Sequence, residues 1–222
     1  MRTLVIAEAG VNHNGDIAMA KRLISAAAQA GADVVKFQTF DAAKVISPQA
    51  PKAEYQKATA GSSDSQLEMV RKLELSRADH EVLIEECARQ GIAFFSTAFD
   101  ADSFDMLIEL GVGMVKIPSG EITNLPYLRH ACRLGLPVIL STGMANLGEV
   151  EAAIDAIVAA GTPRGLITAL HCTTEYPAPI DEVNLLAMVN MGKALGVDTG
   201  YSDHTSGIEV AVAAVALGAK VI

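Results

Sequence analysis

No stretch of this chain approaches the ~20 continuous apolar residues of a membrane span, although its 222 residues are 50% hydrophobic and its mean hydropathy is +0.31. The apolar excess comes from alanine and from short Val/Ile runs. The segment Met1–Glu8 is too short and too soon acidic for a secretory signal. No Gly-x-Gly-x-x-Gly follows any apolar run, so a dinucleotide-binding fingerprint is missing. Basic charge is in short supply: 17 Lys and Arg face 26 Asp and Glu, for a net charge of −9 and a pI near 5.0. That balance argues against nucleic acid or an anionic membrane as the main partner. An anionic substrate would need a locally basic pocket. Cys87, Cys132 and Cys172 show neither metal nor redox spacing, and their odd count suits a reducing compartment, so cytoplasm is the expected setting.

What is present is alternation. Apolar runs at Leu4–Ala9, Val34–Phe40, Ala93–Phe99, Met114–Ser119, Val138–Gly143, Leu166–Thr173 and Thr199–His204 are followed by a stub, Lys220–Ile222. Such Val/Ile-rich runs are expected of strands buried on both faces of a parallel sheet. Helix signals lie between them. Asp16 caps a periodic run up to Gly31, Arg77–Gln90 precedes Gly91, and Asp102–Leu110 precedes Gly111. Asn124 with Pro126 opens another helix, and Asn146 with Glu149 forms a capping-box-like start. Asp181–Leu195 and Ser206–Leu217 complete the set.

Repeated βα units predict an α/β fold, and eight of them favour a (β/α)8 TIM barrel over an open doubly wound sheet. A complete barrel typically takes roughly 250 residues. The chain therefore reads as a single domain over residues 1–222, a barrel incomplete at its C-terminal end, with an unpaired edge along its first strand. Asp41–Ser76, with Pro48, Pro51 and Gly61–Asp64, reads as an insertion over the catalytic face.

In such a fold the C-terminal strand ends carry the chemistry. Lys36 and Lys116 stand among apolar neighbours inside strands, where an unpaired ammonium is costly. They form structural salt bridges, a Schiff base, or a clamp for phosphate or carboxylate; nearby Thr97 and Ser119 favour the clamp. Glu121 follows Gly120 and is either a proton-transfer carboxylate or a helix N-terminal one. His204 is either structural or an imidazole ligand for a divalent ion. Tyr176, in a proline-stiffened loop, either binds a polyol or anchors the loop. Cys172 and His171 are adjacent on a strand and point to opposite faces, which disfavours a thiol–imidazole pair.

Together these segments resemble the sialic acid synthase family, the makers of N-acetylneuraminate and related nonulosonates. The matching residues are Ile6–Gly15, Val35–Phe40, Lys52–Gln56, Lys116–Asn124, Ser141–Met144, His171–Pro179 and Tyr201–Thr205. The resemblance implies a TIM barrel followed by a small antifreeze-like domain, in a homodimer. It implies condensation of phosphoenolpyruvate with the open-chain aldehyde of an N-acetylated amino sugar, N-acetylmannosamine or a diacetamido analogue, with Mn²⁺ or Mg²⁺ as cofactor. By position, Lys36, Thr97, Lys116, Ser119 and Ser202 would hold phosphoenolpyruvate, and Glu8, Gln38 and Tyr176 the sugar. Glu121 would be the acid/base and His204 a metal ligand.

The chain departs from the family in three places. Ser96-Thr97-Ala98-Phe99 replaces the usual Ser-Thr-Pro-Phe, and Thr174 stands where some members place an Asn that contacts phosphoenolpyruvate. The family's Glu-x-His-Phe-Thr segment, with a second metal ligand, would follow Ile222; without it, the last helix and the second domain, these residues alone are expected to bind metal poorly and to be inactive or nearly so. Two other readings compete: a relative that uses a phosphorylated sugar, which would need more basic residues, and a non-catalytic barrel that binds a ligand.

Overall fold

The apolar runs become strands whose ends lie within a few residues of the predicted ones. In the computed structural model, which describes residues 2–50 and 65–222, these are β1 (Ile6–Gly10), β2 (Val34–Thr39), β3 (Ala93–Ala98), β4 (Val115–Ile117), β5 (Val138–Ser141), β6 (Ile167–Cys172) and β7 (Asp198–Ser202). The helices are α1 (Ile17–Gln29), α2 (Ala42–Val45), α3 (Gln66–Arg71), α4 (Arg77–Gln90), α5 (Ala101–Glu109), α6 (Leu125–Cys132), α7 (Leu147–Ala160), α8 (Leu185–Leu195) and α9 (Glu209–Ala216). The fold is α/β with parallel sheets. One sheet has the order β1-β2-β3 and the other β4-β5-β6-β7, the latter parallel throughout. Two units, Ala7–Gly111 and Met1–Ile6 with Val112–Ile222, are described separately below. Among the described residues no helix is long and apolar enough to cross a membrane.

Capping explains most helix ends. Asp16 accepts from the Ala18 N–H, and Asn146 and Glu149 form the reciprocal capping box of α7. One prediction needs correction. Asp181–Leu195 is not one helix: Asn184, at φ 43°, separates a short 3-10 turn from α8. Within the Asp41–Ser76 insertion, Asp41 caps α2 and Ser65 with Glu68 caps α3. Pro51, Lys52–Gln56 and Gly61–Asp64 lie outside the described residues.

The Lys220–Ile222 stub behaves as an eighth strand. On one side Lys220 N–H donates to the Thr199 carbonyl at 2.8 Å and Tyr201 N–H to the Val221 carbonyl at 2.9 Å. On the other, Leu4 and Ile6 donate to Lys220 and Ile222, each at 2.8 Å. The expected unpaired first-strand edge is thus absent at Leu4 and Ile6. Gly200 permits the approach, since a Cβ there would lie 2.4 Å from the Val221 oxygen.

In the Ala7–Gly111 unit, Ile24, Val35, Phe37, Leu83 and Cys87 form the core. A buried polar chain runs beside it. His80 Nδ1 donates to the Ser76 carbonyl at 2.8 Å, which leaves Nε2 to accept from the Thr39 hydroxyl at 2.7 Å. Ser96 and Thr39 hydroxyls meet at 2.6 Å, so α4 is tied to the ends of β2 and β3. His13, also fully buried, accepts from the Gly15 N–H at Nδ1 (3.0 Å), and its Nε2 has no partner among the described residues.

Burial lowers the pKa of both imidazoles, His80 adds to the shift of His13, and Asp79 opposes both shifts. A histidine whose folded pKa lies below its unfolded value of about 6.5 is fully stabilising above that value. The stability is lost as pH falls from there toward the lowered folded value. The melting temperature is therefore expected to drop from pH 7.5 to pH 5, with a shallower drop in His80→Gln. Parallel curves for the two proteins would contradict this.

Candidate active site

Four of the predicted residues meet at the ends of β1, β2 and β3. Lys36 forms an ion pair with Glu8 and donates to Thr97 Oγ1 at 3.2 Å. Gln38 pairs in register with Thr97. Glu8 Oε1 and Gln38 Nε2 flank Gly10, where a Cβ would lie 3.0 and 3.6 Å from them. The salt-bridge reading of Lys36 is therefore realised, with the carboxylate assigned to sugar binding as its partner. Lys36 is largely buried and Glu8 about half exposed, so this pair faces outward at the carboxylate end.

The second cluster stands at the ends of β4 to β7. Lys116 is 8% exposed, and its ammonium donates to the Ile117 carbonyl at 2.8 Å and to Ser141 Oγ at 2.6 Å. After β4 the chain tightens into a 3-10 turn, Ser119–Glu121. Ser119 Oγ accepts from the Gly143 N–H at 3.0 Å and lies 3.6 Å from Cys172 Sγ. A Cβ at Gly143 would sit 2.5 Å from Thr174 Cγ2 and 3.0 Å from Ser119 Oγ, so only glycine allows this approach. Glu121 is half-buried, and its Oε2 accepts from Asn124 Nδ2 at 2.6 Å.

At the end of β7, His204 Nδ1 donates to the Thr173 carbonyl at 2.8 Å, which puts the lone pair on Nε2, 3.5 Å from Ser202 Oγ. The Tyr176 ring packs on His204 at 4.4 Å between centroids, and Tyr176 remains 67% exposed. Cys172 faces Ser119 while His171 Nε2 lies 2.8 Å from the Val183 carbonyl, so no thiol–imidazole pair forms. No group of three His, Cys, Asp or Glu side chains suited to a metal ion occurs among the described residues. One imidazole lone pair does not make a metal centre, so these residues do not by themselves fit the expected cation.

Sequence reasoning missed Ser141, Asn124, the Gly143 N–H and the Thr173 carbonyl as partners of the chosen side chains. A signal existed for Ser141, the one polar residue closing an otherwise apolar strand. Main-chain partners carry none.

A family model described as the NeuB family matches residues 23–222. The chain belongs to the NeuB family. It is 58% identical over 221 residues to the N,N'-diacetyllegionaminic acid synthase of Campylobacter jejuni, covering 100% of this chain and 66% of that protein. It is 50% identical over 224 residues to the synthase of the same name from Legionella pneumophila, covering 100% and 63%. This NeuB chain thus spans less than two thirds of either relative. Among solved structures, the N-acetylneuraminic acid synthetase of Leptospira borgpetersenii, in complex with citrate, superposes with a TM-score of 0.88 at 34% identity, covering 100% of this chain and 72% of that one. A truncated 3-deoxy-D-arabino-heptulosonate 7-phosphate synthase from Thermotoga maritima, at 17% identity and a TM-score of 0.68, shares the fold.

The Lys116–Ser141 bond gives this NeuB site a direct test. A hydrogen bond to a charged donor contributes about 1.5–3 kcal/mol, so Ser141→Ala is expected to destabilise the protein by that order in urea unfolding. An unchanged midpoint would show that Ser141 does not hold the ammonium.

Proposed function

We propose that this chain carries the substrate-binding and proton-transfer residues of a nonulosonate synthase, which condenses phosphoenolpyruvate with an N-acetylated amino-sugar aldehyde. The observation that carries the reading is the buried Lys116 ammonium at a strand end, donating to the Ser141 hydroxyl, with Ser119 pinned by the Gly143 N–H two residues before the Glu121 carboxylate. A lysine ammonium at a strand end is a point charge suited to an anion such as a phosphate or carboxylate. Lys116, Ser119 and Ser202 serve phosphoenolpyruvate, as do Lys36 and Thr97. Glu8, Gln38 and Tyr176 serve the sugar.

The reaction joins C3 of phosphoenolpyruvate to the aldehyde carbon, whose oxygen takes up a proton. Water adds at C2 and gives up a proton, the C2–O bond breaks, and phosphate leaves. Glu121, the last residue of the Ser119–Glu121 turn, is the acid/base. The two relatives of highest quoted identity are both named for N,N'-diacetyllegionaminic acid, so a diacetamido sugar is the preferred acceptor. Proteins named as pseudaminic acid synthase and N-acetylneuraminate-9-phosphate synthase match at 33% and 35%. A (β/α)8 barrel, a homodimer and a cytoplasmic setting belong to the same reading, as does Mn²⁺ or Mg²⁺ with His204 Nε2 as one ligand.

The test is phosphate release by the complete gene product that contains these residues, with Mn²⁺ or Mg²⁺, phosphoenolpyruvate and a choice of sugars. Release should depend on sugar and be fastest with a 2,4-diacetamido hexose. Glu121→Gln should slow it by about 100-fold or more. Sugar-independent release, or a preference for a phosphorylated sugar, would contradict the proposal.

A further inference from the structure

Glu121 stands on a turn whose geometry is closed from both sides. Its N–H donates to the Pro118 carbonyl at 3.0 Å, and its own carbonyl accepts from the Asn124 N–H at 3.0 Å. Asn124 is also the N-cap of α6: its Oδ1 accepts from the Tyr127 N–H at 3.2 Å. Only the oxygen of an amide can accept there, so the cap settles which way the side chain faces. Nδ2 must then point the other way, where it meets Glu121 Oε2 at 2.6 Å. Among the described residues Oε1 makes no hydrogen bond.

We propose that Asn124 is a positioning residue for Glu121, which commits Oε2 to its amide and leaves Oε1 as the atom that moves the proton. This rests on the reading of Glu121 as acid/base. A carboxylate anchored by one oxygen loses its rotation about the last bond, so its second oxygen is presented in one direction. Placing a reacting group in this way is worth far more in rate than in binding. The helix cap supplies the rigidity: the same side chain that starts α6 aims the carboxylate, and Pro126 in the first turn stiffens the segment further.

A role in capping alone makes a different prediction, because Ser and Asp cap about as well as Asn. In the complete gene product, Asn124→Ser and Asn124→Asp keep the cap and lose the amide donor. Both are expected to lower kcat by about 10-fold or more, with the KM for phosphoenolpyruvate within about twofold. Native kcat in both variants would overturn the proposal. Glu121→Gln separates the two levels: if it retains activity, the acid/base reading fails; if it is inactive while Asn124→Ser is normal, only the positioning role fails. The contact has its own readout in this chain. The Asn124 side-chain amide signal in a ¹⁵N–¹H spectrum should move in Glu121→Ala, and an unmoved signal would also overturn the proposal.

Discussion

Burying the ammonium of Lys116 is the constraint around which the strand ends of the Val112–Ile222 unit are arranged. A charge taken out of water costs several kcal/mol unless hydrogen bonds replace its hydration. Here the replacements come from the next residue's own carbonyl and from Ser141 on the neighbouring strand. That requires β4 and β5 to end level with one another, which their register, Lys116 opposite Ile139 and Ile117 opposite Leu140, secures.

The same device recurs around it. Ser119 is oriented by the Gly143 N–H, His204 by the Thr173 carbonyl, and Glu121 by the amide that caps α6. In each case a main-chain group or cap at a strand end or a helix start holds a side chain that is itself polar and close to the surface. Preorganisation of this kind removes the entropy of finding the right rotamer when substrate arrives. Lys36 differs, since an acidic side chain already occupies it. A substrate anion there must compete with Glu8 or share the lysine with it.

Much of this was legible in the sequence, for reasons that differ by element. Strands buried on both faces announce themselves as continuous Val/Ile runs, and Asp16, Asn146 and the glycine after α4 mark helix ends by local chemistry alone. Lys36 and Lys116 stood out because charge inside such a run is costly unless it is paired, and Lys36 proves to be paired with Glu8. The break at Asn184 was hidden, because a non-glycine residue at positive φ leaves little trace in composition. The short helices α2 and α3 were hidden by their length, a single turn or little more. The partners of Ser119 and His204 were invisible in principle, since every residue has an N–H and a carbonyl and only the fold decides which ones converge.

The role proposed for Lys116 is to receive a substrate anion. Calorimetric titration of phosphoenolpyruvate into the native protein and into Lys116→Met tests it directly. The substitution is expected to weaken binding by about 10- to 100-fold, the equivalent of one charged hydrogen bond. Equal affinity in the two proteins, with only the stability changed, would contradict it.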